Sequence, residues 1–279
     1  MKRHSIKGLY SRYRRKNARC EFPTGIPELD RKLCLERGDL VLLTSPTRVD
    51  AQCLAIKFAL EAVAAGKTVD IICGCYEEDF VFEYLLSKMG NVRLESVKRR
   101  TLTDEETNQS AGDLIALCGS DLRVISFESG SDRSADLVKY FSGDDIADVV
   151  FILSIDHAMY SARSKEKELL EKGYGNRTLL MSNIESKAFT KGALVFVTLK
   201  TSLDGDSSIL LDQEDFGRIR EVASTIFIKR PGTYYDEKRM IENVELVITH
   251  NHAGPTGVIN VVRSYNRDFY EPSISTMLS

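Results

Sequence analysis

The sequence lacks any apolar stretch approaching the roughly 20 residues that a membrane-spanning helix needs, and no charged and then apolar leader opens it. Its six cysteines follow neither a metal-binding nor a disulfide spacing, and several lie in apolar runs. We therefore expect reduced, buried thiols. These absences exclude an integral membrane protein and a disulfide-stapled secreted domain, and they predict a cytoplasmic protein.

The chain also lacks a balanced distribution of charge. Its net charge is −3, but residues 1–20 hold eight Lys and Arg and no acid, so the rest of the chain carries −11. Aromatic and leucine side chains interleave with these cations, and four of the cations form a dense group: Arg12, Arg14, Arg15 and Lys16. The arm is interpreted as a helix on DNA, a helix on an acidic neighbouring surface, or a solvated terminus.

Residues 38–55 contain an apolar run, a short polar loop and an amphipathic helix, which is the arrangement of a phosphate-binding loop. Such a loop ends in Gly-Lys-Ser/Thr, because bare N–H groups cradle the phosphates, the lysine reaches them and the hydroxyl holds Mg²⁺. Here the same place reads Asp50, Ala51 and Gln52. A carboxylate about 4 Å from a phosphate charge costs on the order of 4 kcal/mol. We expect Asp50 to cap the helix instead, and Gly66 to end it.

Short apolar runs alternate with helical segments through most of the chain, which predicts an α/β fold with a mostly parallel sheet. The runs are residues 40–43, 69–73, 122–127, 149–153 and 194–199. Thr103 and Glu106 form a capping box for a helix to about Cys118. From residue 224 onward, consecutive strands joined by a Gly254-Pro255 turn predict an antiparallel extension. Residues 160–176 are expected to be a mobile surface segment.

Three segments together resemble the C-terminal ATPase domain of DnaB-type replicative DNA helicases. They are TGIPELD at residues 24–30, LERGDLVLL at 35–43 and AGPTGVINVVRSYNRDFYE at 253–271. The resemblance covers about nine-tenths of the chain and implies a RecA-like P-loop NTPase fold, hexameric rings, ATP bound between subunits and single-stranded DNA in the central channel. Residues 22–279 would form this domain, and the basic arm, residues 1–21, would lie where the interdomain linker lies.

Almost every chemical position of the family falls on a residue of different chemistry. In the phosphate loop, which here also includes Thr47 and Arg48, Gly-Lys-Thr falls on Asp50, Ala51 and Gln52. The water-polarising glutamate falls on Cys75, and the metal-associated aspartate on Ser154, or on Asp156 if the alignment shifts by two. The γ-phosphate sensor falls near Lys200, and the Lys-x-Arg pair that reaches the neighbouring subunit falls on His250 and His252. We therefore expect no catalytic residues and no cofactor.

Three further groups have alternative interpretations. His250 and His252 have a spacing that could bind a metal, but no cysteine or carboxylate partner is evident, and they are explained as replaced family positions. Asp204 to Asp206 looks like a tight turn. Arg218 and Arg220 fall where the family's channel loop meets DNA, or they form a solvated helix turn.

The leading hypothesis is a catalytically inactive relative of the DnaB-type helicase. It would act in DNA replication by binding single-stranded DNA, an active replicative helicase or another replication protein, as an adaptor, loader or inhibitor. One alternative is a divergent ATP-dependent helicase that needs ATP and Mg²⁺ and uses Lys57, Lys67 or Lys200 for the missing lysine. Another is a homo-oligomeric ring with a structural role.

Overall fold

A computed structural model describes residues 21–73, 78–118, 120–127, 131–156, 176–203, 223–230, 235–236, 241–264 and 269–272. Helices and strands alternate through the first two-thirds of the chain, and strands follow one another at the end. The helices are α1 (Pro27–Leu33), α2 (Arg48–Ala64), α3 (Glu78–Met89), α4 (Leu94–Lys98), α5 (Asp104–Cys118), α6 (Arg133–Ser142) and α7 (Asn176–Lys191). The strands are β1 (Leu40–Ser45), β2 (Val69–Cys73), β3 (Leu122–Ser126), β4 (Val149–Ile152), β5 (Leu194–Lys200), β6 (Ser224–Lys229), β7 (Tyr235–Asp236), β8 (Ile241–His250), β9 (Gly257–Ser264) and β10 (Phe269–Pro272).

All of these strands belong to one sheet, in the order β10-β9-β8-β6-β1-β5-β4-β2-β3, with β7 paired to β8. The strands from β6 to β3 in this order pair in parallel, whereas β8, β9 and β10 pair antiparallel. The predicted α/β fold with an antiparallel C-terminal extension is therefore confirmed. The loop that follows β1 lies at the carboxyl edge of the parallel strands, since it leaves from the end of that strand. It lies near the middle of this edge because β1 is a central strand.

The sheet is covered on both faces, which explains why its central strands are apolar without alternation. Along β1, Val41 and Leu43 face a core that α2 covers, whereas Leu40 and Leu42 face a core formed with α6 and α7. All six residues of β1 are buried. No helix among the described residues is long and apolar enough to cross a membrane.

The predicted start of α5 and the predicted end of α2 are confirmed by their hydrogen bonds. The Thr103 N–H donates to Glu106 Oε2 at 2.9 Å, and the Glu106 N–H donates to Thr103 Oγ1 at 3.2 Å, which forms the expected capping box. At the end of α2, Gly66 has φ +72° and donates to the Val63 carbonyl, while Lys67 donates to that of Ala62. These two bonds form a Schellman motif, which uses a left-handed glycine.

Two local predictions are wrong. The N-cap of α2 is Thr47, and Asp50 lies inside the first turn, where it is buried. The carboxylate points towards side chains brought by distant strands, which the local sequence does not reveal. Cys34 is exposed, because it terminates α1 in a left-handed conformation, whereas Cys53 and Cys73 are buried thiols as expected.

A buried aspartate on β2 is hydrogen-bonded both to the edge strand β3 and to α6. Asp70 is fully buried and accepts two hydrogen bonds from Arg123 on β3, at 2.7 and 2.9 Å, and one from the Tyr140 hydroxyl. Burial, together with the Asp70 carboxylate, raises the pKa of Tyr140. The phenol therefore stays protonated and continues to donate to the carboxylate.

Gly90, just after α3, lies against Ser110 on α5. A Cβ at Gly90 would come within 1.8 Å of Ser110 Oγ and 2.9 Å of its Cα. Because Ser110 is fully buried, it has little room to move. We expect Gly90→Ala to lower the free energy of unfolding by about 1 to 3 kcal/mol, measured by urea denaturation.

Gly112, in the same helix as Ser110, provides the matched control. A Cβ there meets no atom within 4 Å, and alanine favours a helix over glycine by about 0.5 to 1 kcal/mol. Gly112→Ala should therefore be stabilising. Equal effects at the two glycines would contradict the assigned packing of α3 on α5.

Asp148, just before β4, should make stability depend on acid pH. Burial alone would raise its pKa, but hydrogen bonds from the Thr68 N–H and hydroxyl, both at 3.2 Å, and the charge of Arg37 outweigh burial and lower it. The ionised carboxylate therefore stabilises the fold above its ordinary pKa of 3.8, and this stability is lost as pH falls through the folded pKa. We expect Asp148→Asn to cost about 1 kcal/mol near neutral pH and progressively less towards about pH 2.

The measurement is urea denaturation of wild type and Asp148→Asn at a series of pH values. Asp121→Asn, which removes an exposed carboxylate beside β3, serves as the control and should change stability little at any pH. A gap between wild type and Asp148→Asn that stays constant across the acid range would contradict the assigned role of Asp148.

Candidate functional site

The loop between β1 and α2 lies at the carboxyl edge of the parallel strands, where α/β proteins bind their ligands. It begins at Ser45, the last residue of β1, and leads into α2 through Thr47 and Arg48. Lys200 ends the neighbouring strand β5 in register with Ser45. The sheet therefore brings the loop positions singled out in the sequence to one edge.

The Asp50 carboxylate is held by two arginines from distant strands. Oδ1 accepts a hydrogen bond from Arg263 at 2.9 Å and another from Arg230. Oδ2 accepts from the Thr47 hydroxyl and from Ser45 Oγ, the latter at 3.5 Å. Asp50 is 2% exposed and Arg263 is 5% exposed, so this pair lies inside the protein, whereas the Arg230 side chain is 31% exposed.

The C-terminal strands close over the same loop. Arg263 belongs to β9, and the Tyr270 hydroxyl on β10 donates to the Asp50 carbonyl at 3.4 Å. Tyr270 is fully buried. Arg230, directly after β6, also lies 3.8 Å from Glu242 on β8. The start of α2 is thereby fastened to β6, β9 and β10.

Next to this cluster, the side chains of Gln52 and Ser154 are joined by a hydrogen bond. Gln52 Nε2 donates to Ser154 Oγ at 3.0 Å, and the Ser154 N–H donates to Thr198 Oγ1 at 2.7 Å. Gln52, Ser154 and Thr198 are buried. These are the two positions where the resemblance places the metal-binding hydroxyl and carboxylate, and here a neutral amide is hydrogen-bonded to a neutral hydroxyl.

Asp156, the other position considered for the metal-associated carboxylate, pairs with a cation of the loop. Arg48 donates to Asp156 Oδ2 at 2.9 Å, and Asp156 is fully buried. Mg²⁺ in nucleotide sites is usually held by one or two carboxylates together with phosphate oxygens. Asp50 has two arginine partners and Asp156 has one, so each of these carboxylates already lies beside a cation.

Comparison with known proteins identifies the fold. No protein-family model and no curated protein sequence matches the chain. Among solved structures, an ATPase domain determined by itself superposes with a TM-score of 0.74 at 15% identity, covering 98% of this chain and 100% of that one. A DnaB-like replicative helicase, solved in a study of its interactions with primase, gives a TM-score of 0.72 at 15% identity, covering 98% of this chain and 68% of that one. The chain has the fold of the ATPase domain of DnaB-like helicases.

In this DnaB-like fold, His250 and His252 lie far from the loop. Strand β8 runs opposite to β6, so its end at His250 reaches the amino edge of the parallel strands. The two rings are in edge-to-face contact with centroids 4.7 Å apart. The described residues contain no group of three or more His, Cys, Asp or Glu side chains that could hold a metal ion.

Two of the three lysines considered as substitutes for the loop lysine point elsewhere. Lys57 is buried in α2, with Nζ 3.1 Å from Glu61 Oε1 and 3.4 Å from the Thr24 carbonyl. Lys67 follows the far end of α2 and lies 4.8 Å above the Phe22 ring. Lys200 is the one of the three whose strand ends beside the loop.

Several predicted positions lie outside the described residues. They are Cys75, the turn at Asp204 to Asp206, Arg218 and Arg220, residues 160–175 of the segment predicted to be mobile, and the arm with Arg12, Arg14, Arg15 and Lys16. Their assigned roles therefore remain predictions.

The two arginines that hold Asp50 were not singled out from the sequence. The sequence does indicate that Arg263 needs a partner, because this residue interrupts the apolar strand GVINVVRS. A cation in a buried strand requires a buried anion. Arg230 carries no such signal, since it follows β6 and directly precedes Pro231 and Gly232 in the sequence.

Proposed function

We propose that this chain is a catalytically inactive DnaB-like protein that acts in DNA replication by binding DNA, an active replicative helicase, or both. The observation that carries the proposal is the ion cluster of Asp50, Arg230 and Arg263 at the loop where a nucleotide's phosphates would lie. The likeness to DnaB-like ATPase domains over 98% of the chain supports the replication setting.

Loss of hydrolysis is expected from the way in which phosphoryl transfer is catalysed. That chemistry depends almost entirely on positioning the phosphates and stabilising their charge with a lysine, a metal ion and an arginine. In this loop the lysine position is Ala51, and the pair expected to bind the metal is the Gln52–Ser154 hydrogen bond. The Asp50 carboxylate also takes up the two guanidinium groups that could otherwise contact phosphate oxygens. These features together support loss of hydrolysis rather than weakened hydrolysis.

The retained fold and the charge of the N-terminal arm support a binding role. Residues 1–20 carry eight cations and no acid, which suits the phosphates of single-stranded DNA or an acidic protein surface. A domain shaped like a helicase subunit can also occupy a subunit-like position against an active ring. Assembly of this chain with itself is the corresponding homo-oligomeric proposal.

Turnover of ATP with Mg²⁺, with and without single-stranded DNA, is the first test. We expect no release of phosphate above the rate of a blank without protein. DNA-stimulated turnover that is lost in Lys200→Ala would overturn the proposal and favour a divergent ATPase, because Lys200 ends the strand beside the loop.

Fluorescence anisotropy of a labelled single-stranded oligonucleotide tests DNA binding. The full chain is compared with a variant in which Arg12, Arg14, Arg15 and Lys16 are glutamine, and with Arg218→Gln/Arg220→Gln. Each lost phosphate contact should lower the slope of log affinity against log salt by about 0.7. Absence of binding at low salt would remove the DNA role and leave a protein partner.

Sedimentation of the chain, alone and mixed with the purified active helicase of the same genome, tests the protein partner. Co-sedimentation at a fixed stoichiometry, with altered unwinding by the active helicase, supports an adaptor, loader or inhibitor. A large closed assembly of the chain alone, without helicase or DNA binding, would instead favour the structural ring.

A further inference from the structure

The Asp50 carboxylate is surrounded as a bound oxyanion would be. Oδ1 accepts from the guanidinium groups of Arg230 and Arg263, and Oδ2 accepts from the hydroxyls of Thr47 and Ser45. Each oxygen therefore has two donors. The carboxylate also lies in the first turn of α2, where the helix dipole favours a negative charge.

The donors belong to separate parts of the chain, so the site is built by the fold rather than by the helix terminus alone. Ser45 and Thr47 flank the loop after β1, Arg230 follows β6, and Arg263 lies in β9. Guanidinium groups bind carboxylate and phosphate oxygens with the same fork geometry. Arg263 is 5% exposed, and a buried guanidinium is costly without an anion.

We propose that Ser45, Thr47, Arg230 and Arg263 form an oxyanion-binding site whose resident ligand is the Asp50 carboxylate. An attached ligand has a high effective concentration, so a free oxyanion cannot compete with it in the wild-type chain. When the carboxylate is removed, the same donors bind an inorganic oxyanion such as pyrophosphate. This inference does not depend on DNA or helicase binding.

The test measures pyrophosphate binding to Asp50→Ala and to wild type by calorimetry and thermal unfolding, with potassium chloride at equal ionic strength as the reference. We expect Asp50→Ala to bind pyrophosphate with a dissociation constant at least roughly tenfold lower than that of wild type. Pyrophosphate should also raise the melting temperature of the variant and leave wild type nearly unchanged.

Asp148→Ala is the matched control. Asp148 also receives donors from a threonine, Thr68, and from an arginine, Arg37, at 2.9 Å, but the Arg37 side chain is 48% exposed. Removing this carboxylate does not vacate two guanidinium groups of which one is buried, so pyrophosphate should act no differently from chloride. Asp50→Ala/Arg263→Gln should likewise lose the response of Asp50→Ala.

Three results would overturn the proposal: equal affinity in wild type and Asp50→Ala, an equal effect of chloride, or an unchanged response in Asp50→Ala/Arg263→Gln. Circular dichroism covers the case in which Asp50→Ala is unfolded in chloride. Recovery of the folded spectrum in pyrophosphate alone supports the site, whereas a variant unfolded in both salts contradicts it.

Discussion

Arg263→Met is expected to lower the free energy of unfolding by about 3 kcal/mol, because it leaves the buried Asp50 carboxylate with one guanidinium partner, which is itself partly exposed. Methionine fills a similar volume, so the loss reports charge and hydrogen bonding rather than a cavity. Urea denaturation followed by circular dichroism measures the difference.

Lys229→Met is the control for Arg263→Met. Lys229 also pairs with an acid, Glu245 at 3.4 Å, but its side chain is 54% exposed, and such pairs contribute about 0 to 1 kcal/mol. A double-mutant cycle of Asp50→Ala and Arg263→Met should show a coupling of at least about 1 kcal/mol. Strictly additive effects would mean that Asp50 and Arg263 do not stabilise each other.

Phe196→Ala should have an effect of similar or larger size, about 3 to 5 kcal/mol. Phe196 is buried in β5, its ring stacks on that of Phe151 with centroids 4.8 Å apart, and it lies 5.6 Å from that of Phe58 on α2. Truncation leaves a cavity between the sheet and α2, where neighbouring side chains on rigid strands cannot collapse. Urea denaturation measures the loss.

Phe189→Ala removes the same ring from the surface of α7, where Phe189 is 79% exposed. It should change stability by less than about 0.5 kcal/mol. If Phe189→Ala and Phe196→Ala had equal effects, the assignment of Phe196 to the core between β5 and α2 would be wrong.

Most strands and several helix boundaries could be predicted from local patterns. Residues 69–73 and 224–229 were predicted as strands and lie in β2 and β6, because a buried parallel strand is a short, nearly continuous apolar run. The capping box at Thr103 and the left-handed Gly66 were also predictable, since the interacting groups lie within a few residues of each other.

The contacts of charged residues inside the core were not predictable in the same way. Asp70 interrupts the strand VDIIC, and Arg263 interrupts GVINVVRS, so the sequence indicates that each needs a partner. It does not indicate which partner. Asp70 pairs with Arg123, which lies 53 residues away, and Arg263 pairs with Asp50, which lies 213 residues away.

The sequence by itself determined the order and type of most elements and the replacement of Gly-Lys-Thr by Asp50, Ala51 and Gln52, because these depend on residue chemistry and short-range periodicity. Only the tertiary structure decided how Asp50 is accommodated. The sheet order brings β6 and β9 to the loop after β1, so Arg230 and Arg263 converge on a carboxylate that the local sequence alone predicts as a helix cap.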